Sequence, residues 1–204
     1  MLPLKQVLQP FISQPLSPEQ LKQFELYLEL LLKWNAKISL TAIRNPEDIV
    51  RRHFGESLFA SEHLSTLGSS SLHDFGSGAG FPGLPVKISS PQLDVTLIES
   101  QQKKAAFLRE VIRTLKLEKV DVHADRAELF QRQAQIVTMR AVEKFESALP
   151  IAASLVEPGG RLALLIGTSQ VHVAMQALPT LEWRDPVHLP ESRERVLLVG
   201  RTIL

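Results

Sequence analysis

The stretch Asp74-Phe75-Gly76-Ser77-Gly78-Ala79-Gly80-Phe81-Pro82-Gly83 decides how this chain is read. Leu72 to Phe75, which lead into the glycines of this stretch, read as a short strand. Leu84, Val86 and Ile88 after it predict a helix. Three glycines in five residues let the backbone turn sharply and approach a ligand without a Cβ in the way. The free amides at the start of the next helix face the same crevice. An ordinary glycine-rich turn is the alternative. The loop lies between the first strand and its helix, however, which is where open sheets bind ligands.

Outward from the loop, short strands alternate with helices. Strands are predicted at 95–98, 120–123, 136–139 and 162–166. Ala105, Leu108, Val111, Ile112 and Leu115 form the apolar side of a helix between the second and third strands. Another helix spans about 143–155, stopped by Pro158-Gly159-Gly160. Strand–helix alternation implies a parallel sheet covered on both faces. The tail breaks the pattern. Thr180–Leu189 and Arg195–Thr202, joined by Pro190-Glu191-Ser192, read as an antiparallel hairpin. Upstream the chain is helical. Ser17-Pro18-Glu19-Gln20 is a helix start, followed by Leu21, Phe24, Leu28, Leu31 and Leu32 at helical spacing. Asn45-Pro46-Glu47-Asp48 starts a second helix, and residues 1–12 form a short weaker one. The change of pattern at Gly68-Ser69-Ser70-Ser71 divides the chain into a helical segment, 1–68, and an α/β domain, 69–204.

Glu99 ends the second strand, 19 residues after Gly80. A carboxylate there can accept both hydroxyls of a ribose, so loop and acid together point to an adenosine-containing cofactor. Two candidates fit. Gly78-x-Gly80-x-x-Gly83 matches the dinucleotide fingerprint and favours NAD. Gly76-x-Gly78-x-Gly80 followed by the acid favours S-adenosylmethionine. The closing hairpin, and the lack of room for a separate substrate domain, favour the latter.

Composition excludes other classes. The chain has 204 residues, 23 Lys+Arg against 22 Asp+Glu, 44% hydrophobic residues and no cysteine. The apolar content suffices for a packed core and is too high for a disordered chain. Without cysteine there is no disulfide framework, thiolate nucleophile or Cys-based metal site. His53, His63, His73, His123, His172 and His188 never fall at i, i+3 or i+4, so no helical metal pair is expected. No apolar run approaches the roughly 18 residues of a membrane span, and the first twenty residues lack a signal-peptide core. The expectation is a soluble, cytoplasmic, monomeric protein without metal or membrane partner.

Five segments resemble one known family, the bacterial small-subunit (16S) ribosomal RNA guanine-N7 methyltransferases of the glucose-inhibited division protein B type. They are Trp34-Asn35 with Leu40-Thr41-Ala42-Ile43; Arg52-His53 with Ser57-Leu58; the loop Asp74 to Gly83; Lys104 with Phe107-Leu108-Arg109; and Arg126-Ala127-Glu128 with Arg140-Ala141-Val142. The resemblance runs from about residue 17 to the C-terminus. It implies a class I S-adenosylmethionine-dependent methyltransferase: a Rossmann-like, mostly parallel seven-stranded sheet ending in an antiparallel hairpin, with a helical segment before it. It implies that Gly76 and Phe81 line the methionine and ribose side of the cofactor, and that Ala127 and Glu128 lie against adenine. Arg140 would face the cofactor near the substrate opening and orient it. With Asp74, Gly78, Gly80 and Glu99 from the loop and strand ends, these are the candidate cofactor residues. Four places depart from the family pattern: Gln135, Met139, Ile166-Gly167 and Gly55-Glu56.

The acceptor is narrowed by what is missing. Cytosine-C5 methylation uses a thiolate, which this chain lacks. Exocyclic adenine methylation usually shows an Asn/Asp-Pro-Pro-aromatic turn after the fourth strand, where this chain has Met139-Arg140-Ala141-Val142. Guanine N7 already presents a lone pair on the major-groove edge and needs neither device. No acid or base is therefore assigned. Residues 33–53 carry five cations against Glu47 and Asp48, and residues 101–119 carry six against Glu110 and Glu118. These clusters are candidate phosphate contacts. They supply the RNA-binding candidates Arg44, Arg51, Arg52, Lys103, Lys104 and Arg109, to which His53 is added by its family position. Trp34 ends an apolar stripe and reads as core, with base stacking as the alternative. Alternative functions on the same fold are a ribosome-assembly RNA binder without catalysis and a methyltransferase acting on a small molecule or protein.

Overall fold

A computed structural model describes residues 3–65 and 70–203. The segment boundary expected at Gly68-Ser69 lies outside the described residues. Five strands run parallel: β1 (Ser71–Phe75), β2 (Asp94–Ile98), β3 (Val120–His123), β4 (Ala134–Arg140) and β5 (Val156–Gly167). Two short strands, β6 (Glu182–Trp183) and β7 (Val187–His188), and the longer β8 (Arg195–Arg201) complete the sheet. The spatial order is β3-β2-β1-β4-β5-β8-β6, with β7 also on β8. β8 is antiparallel to β5, β6 and β7. β1 pairs with both β2 and β4, so the strand order reverses there and a crevice opens at the carboxyl ends.

Helices α1 (Leu4–Leu8), α2 (Pro18–Asn35) and α3 (Pro46–Ile49) precede the sheet. α3 runs through a π-helical turn, Val50–Gly55, into α4 (Glu56–Ser65). The crossovers use α5 (Gly83–Ser89), α6 (Gln102–Leu115) and α7 (Phe145–Ser154), and α8 (Val171–Ala177) follows β5. β5 shows why both faces are covered. Ala163 and Leu165 join a core shared with the N-terminal helices, α5 and α6. Leu162, Leu164 and Ile166 join a second core with α7 and α8.

The expected mostly parallel α/β sheet with an antiparallel finish is present, with local differences. The segment 180–189 is two strands rather than one, so the described sheet has eight strands instead of seven. Pro186 between them has no N–H to donate to a ladder. β5 starts at Val156, and its register against β4 shifts between Ala134 and Ile136. The helix from Asn45 is interrupted by the π turn. Among the described residues, no helix is long and apolar enough to cross a membrane.

The helical segment is fastened to the α/β layer by named contacts. Ser17 and Gln20 form a capping box at the start of α2. The Gln20 amide also donates to the Ile88 carbonyl of α5 at 3.0 Å, and Gln23 donates to the Leu115 carbonyl of α6 at 3.2 Å. Tyr27 of α2 is fully buried and its hydroxyl donates to the Ala79 carbonyl, inside the glycine loop. The same helix thus supports the glycine loop from its packed side.

Candidate active site

The glycine loop is held from below. Asp74, the fourth residue of β1, is fully buried. Its Oδ2 accepts from the Gly83 amide at 3.1 Å and its Oδ1 from the Thr138 hydroxyl at 2.8 Å. The Ser77 amide donates to the Ile98 carbonyl of β2 at 3.0 Å. Glu99 crosses between the loops after β1 and β2. Its Oε2 accepts from the Gly78 amide at 2.9 Å and its Oε1 from the Gln101 amide at 2.8 Å. Each oxygen keeps a second lone pair, so the carboxylate is fixed and still able to accept.

Phe81 is the floor of an aromatic stack. His53 lies nearly parallel to it at 4.6 Å and Tyr27 at 5.6 Å, and the Arg140 guanidinium lies 6.0 Å from its ring centre. His53 Nε2 is 2.7 Å from the Thr41 hydroxyl. Burial, with Arg140 and Arg52 adding repulsion, lowers the His53 pKa to about 2, so the ring is neutral. Burial raises the Asp74 carboxyl to about 6 against the pull of its hydrogen bonds. Arg140 Nη2 donates to the Arg52 carbonyl at 2.7 Å and pairs with Glu56 at 3.2 Å.

Two adjoining hollows result, of about 430 and 410 Å³. The first is lined by Gly76, Gly78, Phe81, Glu99 and Arg140, with His53 and Lys104 at its side. The second is lined by Ala127 and Glu128, and shares Gly76, Ser100 and Val142 with the first. Asp74 and Gly80, both expected to touch a cofactor, line neither. Asp74 points under the loop toward Gly83 and Thr138. The position of a Gly80 Cβ is filled by Leu84 and the Tyr27 hydroxyl, each 2.5 Å away. Both residues shape the loop from its packed side.

Of the expected RNA-binding residues, His53 and Lys104 line the first hollow and the others do not. Arg52, Lys103 and Arg109 are exposed, and Lys103 sits beside Lys33, Trp34 and Lys37 on a separate surface hollow. Arg44 is tied to the Asn35 carbonyl at 2.9 Å. Arg51 is committed to Glu47 and Glu191, at 3.4 and 2.6 Å. Trp34 packs edge-on against Phe107 at 5.6 Å. Residues around the site that have no role assigned from the sequence are Tyr27, Thr41, Glu56 and Arg195. Thr41 belongs to one of the family-like segments, and Glu56 to a departure from the family pattern. Arg195 carries no local signal, because its partners are far away in the chain.

Against known proteins, residues 20–182 match the family model GidB, rRNA small subunit methyltransferase G. The chain belongs to this family. Relatives named ribosomal RNA small subunit methyltransferase G include that of Chloroflexus aggregans, 40% identical over 91% of this chain and 83% of its own. That of Bacillus subtilis is 36% identical over 92% and 84%. Among solved structures, the ribosomal protein L11 methylase of Lactobacillus delbrueckii superposes with a TM-score of 0.61 at 12% identity, covering 74% of this chain and 79% of its own. The N-methyltransferase NodS of Bradyrhizobium japonicum gives 0.59 at 15%, covering 74% and 94%. These likenesses establish the class I methyltransferase fold for this family member.

Proposed function

We propose that this chain is an enzyme that transfers a methyl group from S-adenosylmethionine to N7 of a guanine in small-subunit ribosomal RNA. The family assignment supports the reaction and the RNA. The observation that carries the cofactor is the pre-set Glu99 carboxylate beside an open glycine cradle at the strand-order switch. A Cβ at Gly78 would have only the Gly76 carbonyl near it, at 3.9 Å, so this glycine leaves space for a ligand. Gly76, Gly78, Phe81 and Glu99 would hold the methionine and ribose part. Ala127 and Glu128 would hold the adenine in the adjoining hollow. Bound there, S-adenosylmethionine supplies a methyl group carried on a sulfonium.

The residues' share is orientation. Guanine N7 has a free lone pair and carries no proton, so no general base is needed. The neutral His53 and the hydrogen-bonded Asp74 accordingly act as scaffold. Arg140, above Phe81 at the crevice mouth, orients cofactor and base. In this reading the segment to residue 68 is an appendage that closes one side of the crevice, and the basic residues around it meet phosphates. The test is incubation of the purified chain with labelled S-adenosylmethionine and small subunits lacking this methylation, followed by nucleoside analysis of the RNA. Labelled 7-methylguanosine is expected. Label in another nucleoside, or none in RNA, overturns the assignment.

A further inference from the structure

Glu56 is buried and faces three guanidiniums from three separate elements. Its side chain is 2% exposed. Arg52 reaches it from the π-helical turn at 3.6 Å, Arg140 from the end of β4 at 3.2 Å, and Arg195 from the start of β8 in direct contact. These are the charged groups that face it from the elements packed around it. Gly55 just before it lets the π turn approach closely, since a Cβ there would lie 2.6 Å from the Phe11 ring. Glu56 is the first residue of α4, at the end of that turn.

We propose that Glu56 is the positioning residue of this site, its carboxylate holding the Arg140 guanidinium over Phe81. The proposal rests on the methyl-transfer reading for its activity assay only. Arg140 has one end fixed by Glu56 and the Arg52 carbonyl, while its Nη1 is buried without a hydrogen-bond partner. One nitrogen is anchored and the other is a buried, uncommitted donor on a residue that lines the hollow. Without the carboxylate, three cations would face one another. Arg52, whose side chain is 48% exposed, can turn to water, but Arg140, at 11%, cannot do so without leaving the hollow. Burial raises the Glu56 pKa to about 7 against the pull of Arg140 and Arg52. Its hold on Arg140 thus weakens as pH falls through that value.

The full chain is compared with E56Q and E56D by melting, by single-turnover methyl transfer from about pH 6 to 9, and by nitrogen-15 NMR of arginine side chains. The Arg140 signal is assigned by its loss in R140K. E56Q is expected to be at least about tenfold slower at pH 8, and to lack the wild-type fall in rate below pH 7. E56D, which keeps the charge, recovers most of the rate. The Arg140 guanidinium exchanges slowly with solvent in the wild type, faster in E56D and fastest in E56Q. A wild-type rate and slow exchange in E56Q overturn the proposal, as does E56D being no better than E56Q. If the wild type transfers no methyl group, the functional reading fails and the exchange rates alone decide on Glu56. If E56Q does not fold, E56D decides: unchanged Arg140 exchange there overturns the proposal.

Discussion

Gly78 and Gly80 are two residues apart in one loop and answer to different demands. Both have left-handed φ, +57° and +94°. Alanine at either costs about 1–2 kcal/mol for the backbone alone. At Gly78 the new methyl enters the open hollow, so G78A should fold and bind S-adenosylmethionine more weakly in calorimetry. At Gly80 it meets Tyr27 and Leu84, which adds about 1–3 kcal/mol of overpacking. G80A should therefore melt well below G78A, and equal melting temperatures would sink this distinction. His53 yields a pH prediction. Its folded pKa is about 2, below its ordinary value, so its contribution to stability is complete above pH 6.5 and is lost as pH falls. Buried Asp74, raised to about 6, has the opposite sign, favouring the fold below its ordinary pKa of 3.8 and losing that contribution as pH rises through 6. H53Q should flatten the acid-side fall in melting temperature between pH 6.5 and 4, and an unchanged slope would count against a buried neutral imidazole.

Among the elements, those with local start and stop chemistry are legible in the sequence. Ser17 caps α2 and Gln20 answers it, as that four-residue pattern predicts. S17A should cost about 1 kcal/mol, or about 2–4 °C in a chain of this length. Cofactor affinity should not change, because the cap is remote from the hollows. Weaker cofactor binding with no change in melting would contradict this. Asn45 likewise caps α3 with two side-chain bonds, at 2.9 and 3.2 Å. The π-helical turn that follows, which packs against α1, is not legible, since no local pattern in its residues sets it apart from the helix on either side. α8 gives no clear signal because seven residues make under two turns of periodicity. The division of 180–189 at Pro186 follows from the missing N–H.

For the whole molecule, the near-zero net charge conceals an uneven surface. Lys103 and Lys104 open α6, one exposed and one at the side of the hollow, while Arg51 is already matched by Glu47 and Glu191. Reversing both lysines should lower the slope of log affinity for RNA against log salt by about 0.7–0.9 for each phosphate left unneutralised. Reversing Arg51 should lower it less, and equal effects would place the RNA surface elsewhere. The sheet, its glycine loop and the caps can be read from the sequence because they depend on local rules: alternation, helical spacing, backbone freedom and side-chain-to-amide bonds within a few residues. The site is legible only in part. Glu99 and the loop are near in sequence and announce themselves together. The convergence of Arg52, Glu56, Arg140 and Arg195 is decided by strand order and helix packing, which bring together charges that the sequence holds up to 143 positions apart. The inward turn of Asp74 and the packing of Gly80 against Tyr27 are decided the same way. A residue's type says what it can bond; only the register of the strands and the seating of α2 on the loop say which neighbour it meets.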